Sequence, residues 1–358
     1  MEKFGFVGLP NAGKSSLYNA LTGASALAAP YAFATTDPNI GVAQVPDHRL
    51  DLLAAMSQSK NLVHASVQFT DIGGLVEGAS QGEGLGNQFL ANIREVDAIV
   101  FVLRAFQDSD IPGDPDPLEQ LRVLEIELTL SDLETLEKQT SKRVKAARLD
   151  KSIAGEVDTL EEAIEVLSAG TPLYRSHFSK EQYSWLNPYF LLTAKPVLVI
   201  VNVGEDQLSK SDELANPIVQ EFEDKAEVIS VCVQLEAEAA ELPNDEQADL
   251  LEGLGLGRGA LPRFVNQAYH ILGLRTFLTT GEKESRAWTF REGSTAPEAA
   301  GRIHTDFQKG FIRAETINWE VLLECGSWGE ARDTGKVRVE GKDYLVKDGD
   351  VMEFRFNV

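Results

Sequence analysis

The stretch Gly8-Leu9-Pro10-Asn11-Ala12-Gly13-Lys14-Ser15-Ser16 follows the apolar run Phe4 to Val7 and leads into a helix-like run from Ser15 to Thr22. Its pattern, G-x-x-x-x-G-K-S between a strand and a helix, is that of a loop that wraps phosphates. Gly8 and Gly13 let the backbone turn so that successive N–H groups point inward, and the helix N-terminus adds its partial positive charge. Asn11, Ala12, Gly13, Lys14, Ser15 and Ser16 are therefore the candidate phosphate-binding residues. Lys14 would place an ammonium on the β- and γ-phosphates, and the Ser15 hydroxyl would ligate Mg²⁺.

Phosphate chemistry at such a loop needs a further acid and a sensor of the γ-phosphate. Asp71 closes the strand-like "SVQFT" and opens "DIGGL", where its carboxylate could hold Mg²⁺ through water while the Gly74 N–H faces the γ-phosphate. Lys14, Asp71 and Gly74 are the candidate catalytic set. Thr35 and Thr36 in "YAFATTDPNIG" offer a hydroxyl to the same ion, and spacing leaves open which of them does so. Leu75 stands where Ras-like enzymes carry the glutamine that orients water, so catalysis would rest on positioning and electrostatics. Farther on, Val197 to Val201 ends in Asn202-Val203-Gly204-Glu205, where a Ras-type GTPase reads guanine with Asn-Lys-x-Asp. Asn202, Val203 and Glu205 are the candidate base-binding residues.

These groups must be held by a scaffold. Strand-like and helix-like runs alternate over the first third of the chain, which predicts a parallel sheet with crossover helices. A gap of about 90 residues precedes the strand at Val197, too long for an unstructured loop. Within it, "PLEQLRVLEIELTLSDLETLEKQTSKRVKAARL" and "EVDTLEEAIEVLSAG" carry Leu, Glu and Lys at helical spacing and predict an inserted helical arm. The last part reads as a small α+β unit ending in a hairpin, "DYLVKDGDVMEFRF", with its turn at Asp348-Gly349-Asp350.

Composition sets outer limits. The chain has 358 residues and 43% hydrophobic content, enough for two or three cored domains. Its apolar runs fall far short of the roughly 20 residues of a membrane helix. The start of the chain has no basic and apolar export pattern, and two cysteines suggest neither a disulfide framework nor a metal site. A cytoplasmic location is expected, with no membrane partner. A net charge of −23 argues against bulk attraction to DNA or other nucleic acid. After Leu274, however, 13 Lys and Arg nearly balance 15 Asp and Glu, so any RNA contact is expected there.

With "GLPNAGKSS", "FATTDPNIG", "DIGGLVEGASQGEGLGNQFLANIREVDAIVFVLRAF", "NVGE" and "AGRIHTDFQKGFIRAE" in this order, the sequence resembles the YchF family of Obg-like ATPases from Phe4 to Val358. The resemblance implies an α/β fold: a Ras-like P-loop NTPase core at 1–117 and 191–273, a helical coiled-coil insertion at 118–190, and a C-terminal ubiquitin-like TGS domain of β-grasp type at 274–358. It implies a cytoplasmic, Mg²⁺-dependent nucleoside triphosphatase that binds the ribosome, through the large subunit or rRNA, and acts in translation or stress responses. Ser15 and Thr35 would hold Mg²⁺, Asp71 would sit at the switch, and Asn202 and Glu205 at the base. Three positions depart from the family pattern: Gly73 replaces Ala, Cys232-Val233 replaces Ser-Ala, and Phe101 stands where many members carry a histidine.

The expected substrate is ATP, with GTP weaker or comparable, because Glu205 is one methylene longer than the guanine-reading aspartate and Val203 lacks a lysine stem. K⁺ is a further candidate cofactor, held beside Asn11. Two other readings stand beside this one: a guanine-specific GTPase of the Obg type, and a nucleotide-gated binding module with negligible turnover.

Overall fold

The computed structural model describes residues 2–26, 40–72, 85–108, 114–148, 150–223 and 225–357. Its strands are β1 (Lys3–Val7), β2 (Ile40–Gln44), β3 (Asn61–Val63), β4 (Ser66–Asp71), β5 (Ala98–Arg104), β6 (Val197–Asn202) and β7 (Glu227–Val231). Toward the C-terminus follow β8 (Leu274–Thr279), β9 (Glu284–Arg291), β10 (Phe311–Asn318), β11 (Arg338–Glu340) and β12 (Asp350–Phe356). They form two six-stranded sheets and belong to two units, Met1–Ala43 with Gln68–Phe264, and Gln44–Val67 with Val265–Val358.

The sheet of the first unit has the order β2-β4-β1-β5-β6-β7, and β4, β1, β5, β6 and β7 run parallel. Every residue of "AIVFVLR" in β5 and "VLVIVN" in β6 is buried, as expected of parallel strands covered on both faces. The sheet reverses its winding at β1, which has β4 on one side and β5 on the other. Open α/β sheets bind ligands beyond the carboxyl ends of the strands at such a point. The carboxyl ends of β1, β4, β5 and β6 all lie at that edge.

The inserted segment starts with a helix at Pro117–Ala147. Pro117 occupies its first turn, and the Asp116 carboxylate accepts the Leu118 and Glu119 N–H groups at 2.9 and 3.0 Å, which fixes the start. Leu121, Leu124 and Leu128 pack into the sheet's core, whereas Leu136 joins a second cluster with Leu160, Ala163, Leu167 and Leu186 from the helices Ala154–Ser168 and Lys180–Leu186. One helix thus belongs to two cores. Asp132, fully buried midway along it, accepts bonds from the Leu192 N–H, the Thr193 N–H and the Thr193 hydroxyl. This ties the return of the chain to the arm. Among the described residues no helix is long and apolar enough to cross a membrane.

In the second unit the order is β11-β10-β12-β8-β9-β3, with β12 parallel to β8 and antiparallel to β10. The helix Ala296–Ile303 buries Ala296, Ala299 and Ala300 against Phe277, Phe290 and Phe311. A hairpin, a helix and a central parallel pair make this the β-grasp arrangement. The expected final hairpin does not form. Leu345 makes only an isolated bridge to Thr295, and β12 takes β10 as its antiparallel partner. The reason lies at Gly349, whose N–H donates to the Thr276 carbonyl at 2.8 Å, so the Asp348–Asp350 turn is tied to β8.

The segment Gln44–Val67 also belongs to this unit, although the sequence boundaries assigned it to the nucleotide-binding part. Its strand β3 runs parallel to β9, its helix His48–Ser57 buries Leu50 and Leu53 completely, and Arg49 bonds Asp348 at 2.7 Å.

Candidate functional site

The glycine-rich loop closes on itself. Lys14 is buried, and its ammonium donates to the Gly8 and Leu9 carbonyls at 3.1 and 2.9 Å, spanning the loop it terminates. Burial lowers its pKa from the ordinary 10.5, and the Asp71 carboxylate opposes that shift in part. A side chain at Gly8 would put its Cβ 2.5 Å from the Val102 carbonyl oxygen, and one at Gly13, where φ is 98°, would lie 2.3 Å from Asn202 Nδ2. Both glycines are therefore required by close approach. Asn11 takes the left-handed region at φ 61°, a conformation asparagine tolerates, and is exposed at the tip.

Ser15 and Asp71 meet. The Ser15 hydroxyl donates to Asp71 Oδ2 at 2.6 Å, and Asp71 Oδ1 is buried with no hydrogen-bond partner among the described residues. A buried carboxylate oxygen left without a partner calls for a missing donor or cation. The two hard oxygen donors suit Mg²⁺, which prefers one or two protein oxygens completed by water and phosphate. Thr35, Thr36, Gly73, Gly74 and Leu75 lie outside the described residues.

Beside the loop opens a cavity of about 830 Å³. It is lined by Gly13 and Ser16 of the loop, by Phe106 and Gln107 after β5, by Val203 to Asp206 after β6, and by Val233 and Glu238. Its size suits a nucleoside. Asn202 is buried here with both ends of its amide in use: Nδ2 donates to the Ala12 carbonyl at 3.0 Å, and Oδ1 accepts the Val233 N–H at 3.2 Å. It braces three loops. Val203 is buried as well, while Glu205, Asp206, Glu238 and Glu241 bring four carboxylates to the cavity.

Phe101 is fully buried in the sheet's core, with its ring centroid 6.4 Å from that of Tyr174. It is a packing residue. Sequence reasoning missed Phe106, Gln107 and Glu238. Phe106 and Gln107 could have been suspected as the continuation of an entirely buried strand; Glu238, on a helix after β7, carries no local mark.

Two family models match the chain: one described as a 50S ribosome-binding GTPase over residues 3–146, and the YchF-GTPase C-terminal model, described as a protein of unknown function, over 274–357. The chain is 46% identical over 361 residues to the ribosome-binding ATPase YchF of Bacillus subtilis (strain 168), covering 99% of each. It is 44% identical over 360 residues to the ribosome-binding ATPase YchF of Escherichia coli O157:H7, again covering 99% of each. The solved structure of the Schizosaccharomyces pombe YchF GTPase superposes with a TM-score of 0.89 at 34% identity, covering 99% of this chain and 97% of that one.

Proposed function

The chain belongs to the YchF family, and from that premise we propose that it is a Mg²⁺-dependent ATPase whose nucleotide state governs association with the ribosome. The observation that carries this reading is the Ser15–Asp71 pair at the mouth of a closed phosphate loop, with a nucleoside-sized cavity beside it. Lys14 exchanges its bonds to the Gly8 and Leu9 carbonyls for the β- and γ-phosphates, and its ammonium opposes the charge that builds there. Ser15 and Thr35 would ligate Mg²⁺ and Asp71 would hold it through water; the ion would supply charge neutralisation across the phosphates. Asn11 to Ser16 orient the phosphates, and the Gly74 N–H is assigned to the γ-phosphate.

The base reading favours ATP at least as strongly as GTP. Asn202 uses one donor and one acceptor of its amide on the protein, Val203 is buried and offers no stem over the base, and Glu205 is exposed on a flexible side chain. A hydrogen bond to a charged group contributes about 1.5–3 kcal/mol, so a displaced carboxylate removes roughly ten- to a hundredfold of guanine preference. Competing ATP against GTP on the purified chain tests this. GTP binding more than tenfold tighter would make the chain a guanine-specific enzyme instead.

A second reading, a nucleotide-gated module with very slow turnover, is favoured by the complete burial of Phe101, which has no proton to transfer. Single-turnover hydrolysis with and without ribosomes separates the two. We further assign K⁺ to the neighbourhood of Asn11, ribosomal contact to the large subunit or its rRNA, and the chain to the cytoplasm, without DNA as a partner. The proposed domains are 1–117 with 191–273 for nucleotide, 118–190 for the arm and 274–358 for the TGS unit, with Gln44–Val67 joined to the last by its sheet pairing.

A further inference from the structure

We propose that Gln207 is a positioning residue that sets the width of the base pocket, an inference that rests on reading that cavity as the nucleoside's. Its carboxamide works at both ends. Oε1 accepts the Gly204 N–H at 2.8 Å, and Nε2 donates to the Ala105 carbonyl at 3.0 Å. These partners leave one amide orientation, since an N–H needs the oxygen and a carbonyl needs the NH₂.

The two partners belong to the two chain segments, after β6 and after β5, that both line the cavity. Gly204 stands between Val203 and Glu205, and Ala105 precedes Phe106 and Gln107. The segments are the extensions of β5 and β6, whose ladder ends with Arg104 beside Asn202 and the Ala105 N–H on the Asn202 carbonyl at 2.8 Å. Gln207 adds the next link beyond that ladder. On the arm side, Gln120 bonds both the N–H and the carbonyl of Arg104, at 2.9 and 2.8 Å, so the Phe106 segment is gripped from two directions. The segments are close at this link: a Cβ on Gly204 would lie 3.4 Å from the Phe106 Cβ. Gln207 itself does not line the cavity, so it acts through the groups it ties together.

The test uses the full-length chain with Gln207→Met, which removes both bonds at similar volume, and Gln207→Glu, which keeps the Gly204 bond but loses the donor to Ala105. Calorimetric titration with ATP, GTP and tripolyphosphate is combined with steady-state hydrolysis. Loss of one well-placed bond from a buried carbonyl predicts ATP affinity lower by about tenfold in both variants. KM should rise with kcat retained, and tripolyphosphate, which has no base, should bind as before. ATP affinity equal to that of the unaltered chain would overturn the inference, as would parallel weakening of ATP and tripolyphosphate. If the unaltered chain bound ATP no tighter than tripolyphosphate, the base-pocket reading itself would fall.

Discussion

The Ser15 hydroxyl sits 2.6 Å from one oxygen of Asp71, while the other oxygen of that carboxylate is buried and, among the described residues, unpaired. The pair joins the first turn of the loop's helix to the end of β4, so the carboxylate is aimed before any ion arrives. A carboxylate that holds a metal through an intermediate ligand typically contributes 10–100-fold in metal affinity. Asp71→Asn should therefore raise the Mg²⁺ concentration for half-maximal ATP turnover by roughly 10- to 100-fold, with Mg²⁺-free nucleotide binding preserved. Mg²⁺ titrations that superimpose for the two proteins would remove Asp71 from the metal site.

Lys14 carries the pH signature of the site. Burial lowers its pKa below 10.5, so between the lowered value and 10.5 the unfolded chain binds a proton that the folded, ligand-free protein has released. Stability of the ligand-free protein then rises with pH through that window. Triphosphate favours the ammonium, so ATP binding should take up protons in the same alkaline window and weaken as pH rises. Calorimetry in two buffers of different ionisation enthalpy measures the uptake. Lys14→Arg, which stays charged, should abolish it; proton-neutral binding by the native chain throughout the window would contradict the assignment.

Gly13 is the tightest point of the loop. Gly13→Ala forces a Cβ to within 2.3 Å of Asn202 Nδ2 at a φ of 98°, and either the loop or the Asn202 bond to Ala12 must move. An alanine at positive φ costs more than about 1 kcal/mol before the clash is counted. The variant should melt at a lower temperature and bind ATP and tripolyphosphate more weakly together. An unchanged melting curve would mean that the loop does not approach Asn202 so closely.

What the sequence discloses about this site follows from how far each residue's partners lie along the chain. The phosphate loop is a contiguous run whose geometry depends on its own backbone, so Gly8, Gly13, Lys14 and Ser15 were legible from their spacing. Asp71 was legible as a strand-end acid. Gln207 was not, because its role is set by a carbonyl 102 residues away, and nothing nearby in the sequence marks it. The fate of Tyr344 to Val346 was misread for a related reason: an alternating run beside a Gly turn reads as a hairpin, but β10 had already claimed β12. The placement of Gln44–Val67 depends on β9, far along the chain, and no local pattern reports it.

That placement has a consequence for truncation. Removing residues 274–358 deletes β9, the strand on which β3 pairs, and also Asp348, the partner of Arg49. Leu50 and Leu53 lose the unit in which they are wholly buried, and each buried leucine is worth about 1.5–3 kcal/mol. Limited proteolysis with mass-spectrometric mapping should find rapid cleavage within 44–67 in the truncated chain and protection there in the full one. Equal protection would show that this segment folds without the sheet. For that reason the RNA contact expected after Leu274 is better tested by ribosome co-sedimentation of chains with charge-neutralising substitutions at basic residues of that part, Arg286, Arg291, Lys309 and Arg313, than by deleting it.

Asn11 gives the last prediction, that K⁺ assists turnover. Its backbone is held in the left-handed region at the loop's tip, and it is exposed. An exposed carboxamide oxygen on the proposed phosphate loop is suited to a monovalent cation. Such an ion would neutralise charge between the β- and γ-phosphates, the task an arginine performs in related chemistry. Alanine is a poor probe here, because at φ 61° it adds strain of about 1 kcal/mol. Asn11→Gly removes the carboxamide and keeps the backbone. ATP turnover in K⁺ should exceed turnover in Na⁺ at equal ionic strength for the native chain, and the difference should vanish in Asn11→Gly while Mg²⁺ dependence stays the same. Equal rates in the two salts would exclude the cation, and a K⁺ advantage that survives Asn11→Gly would move it away from this residue.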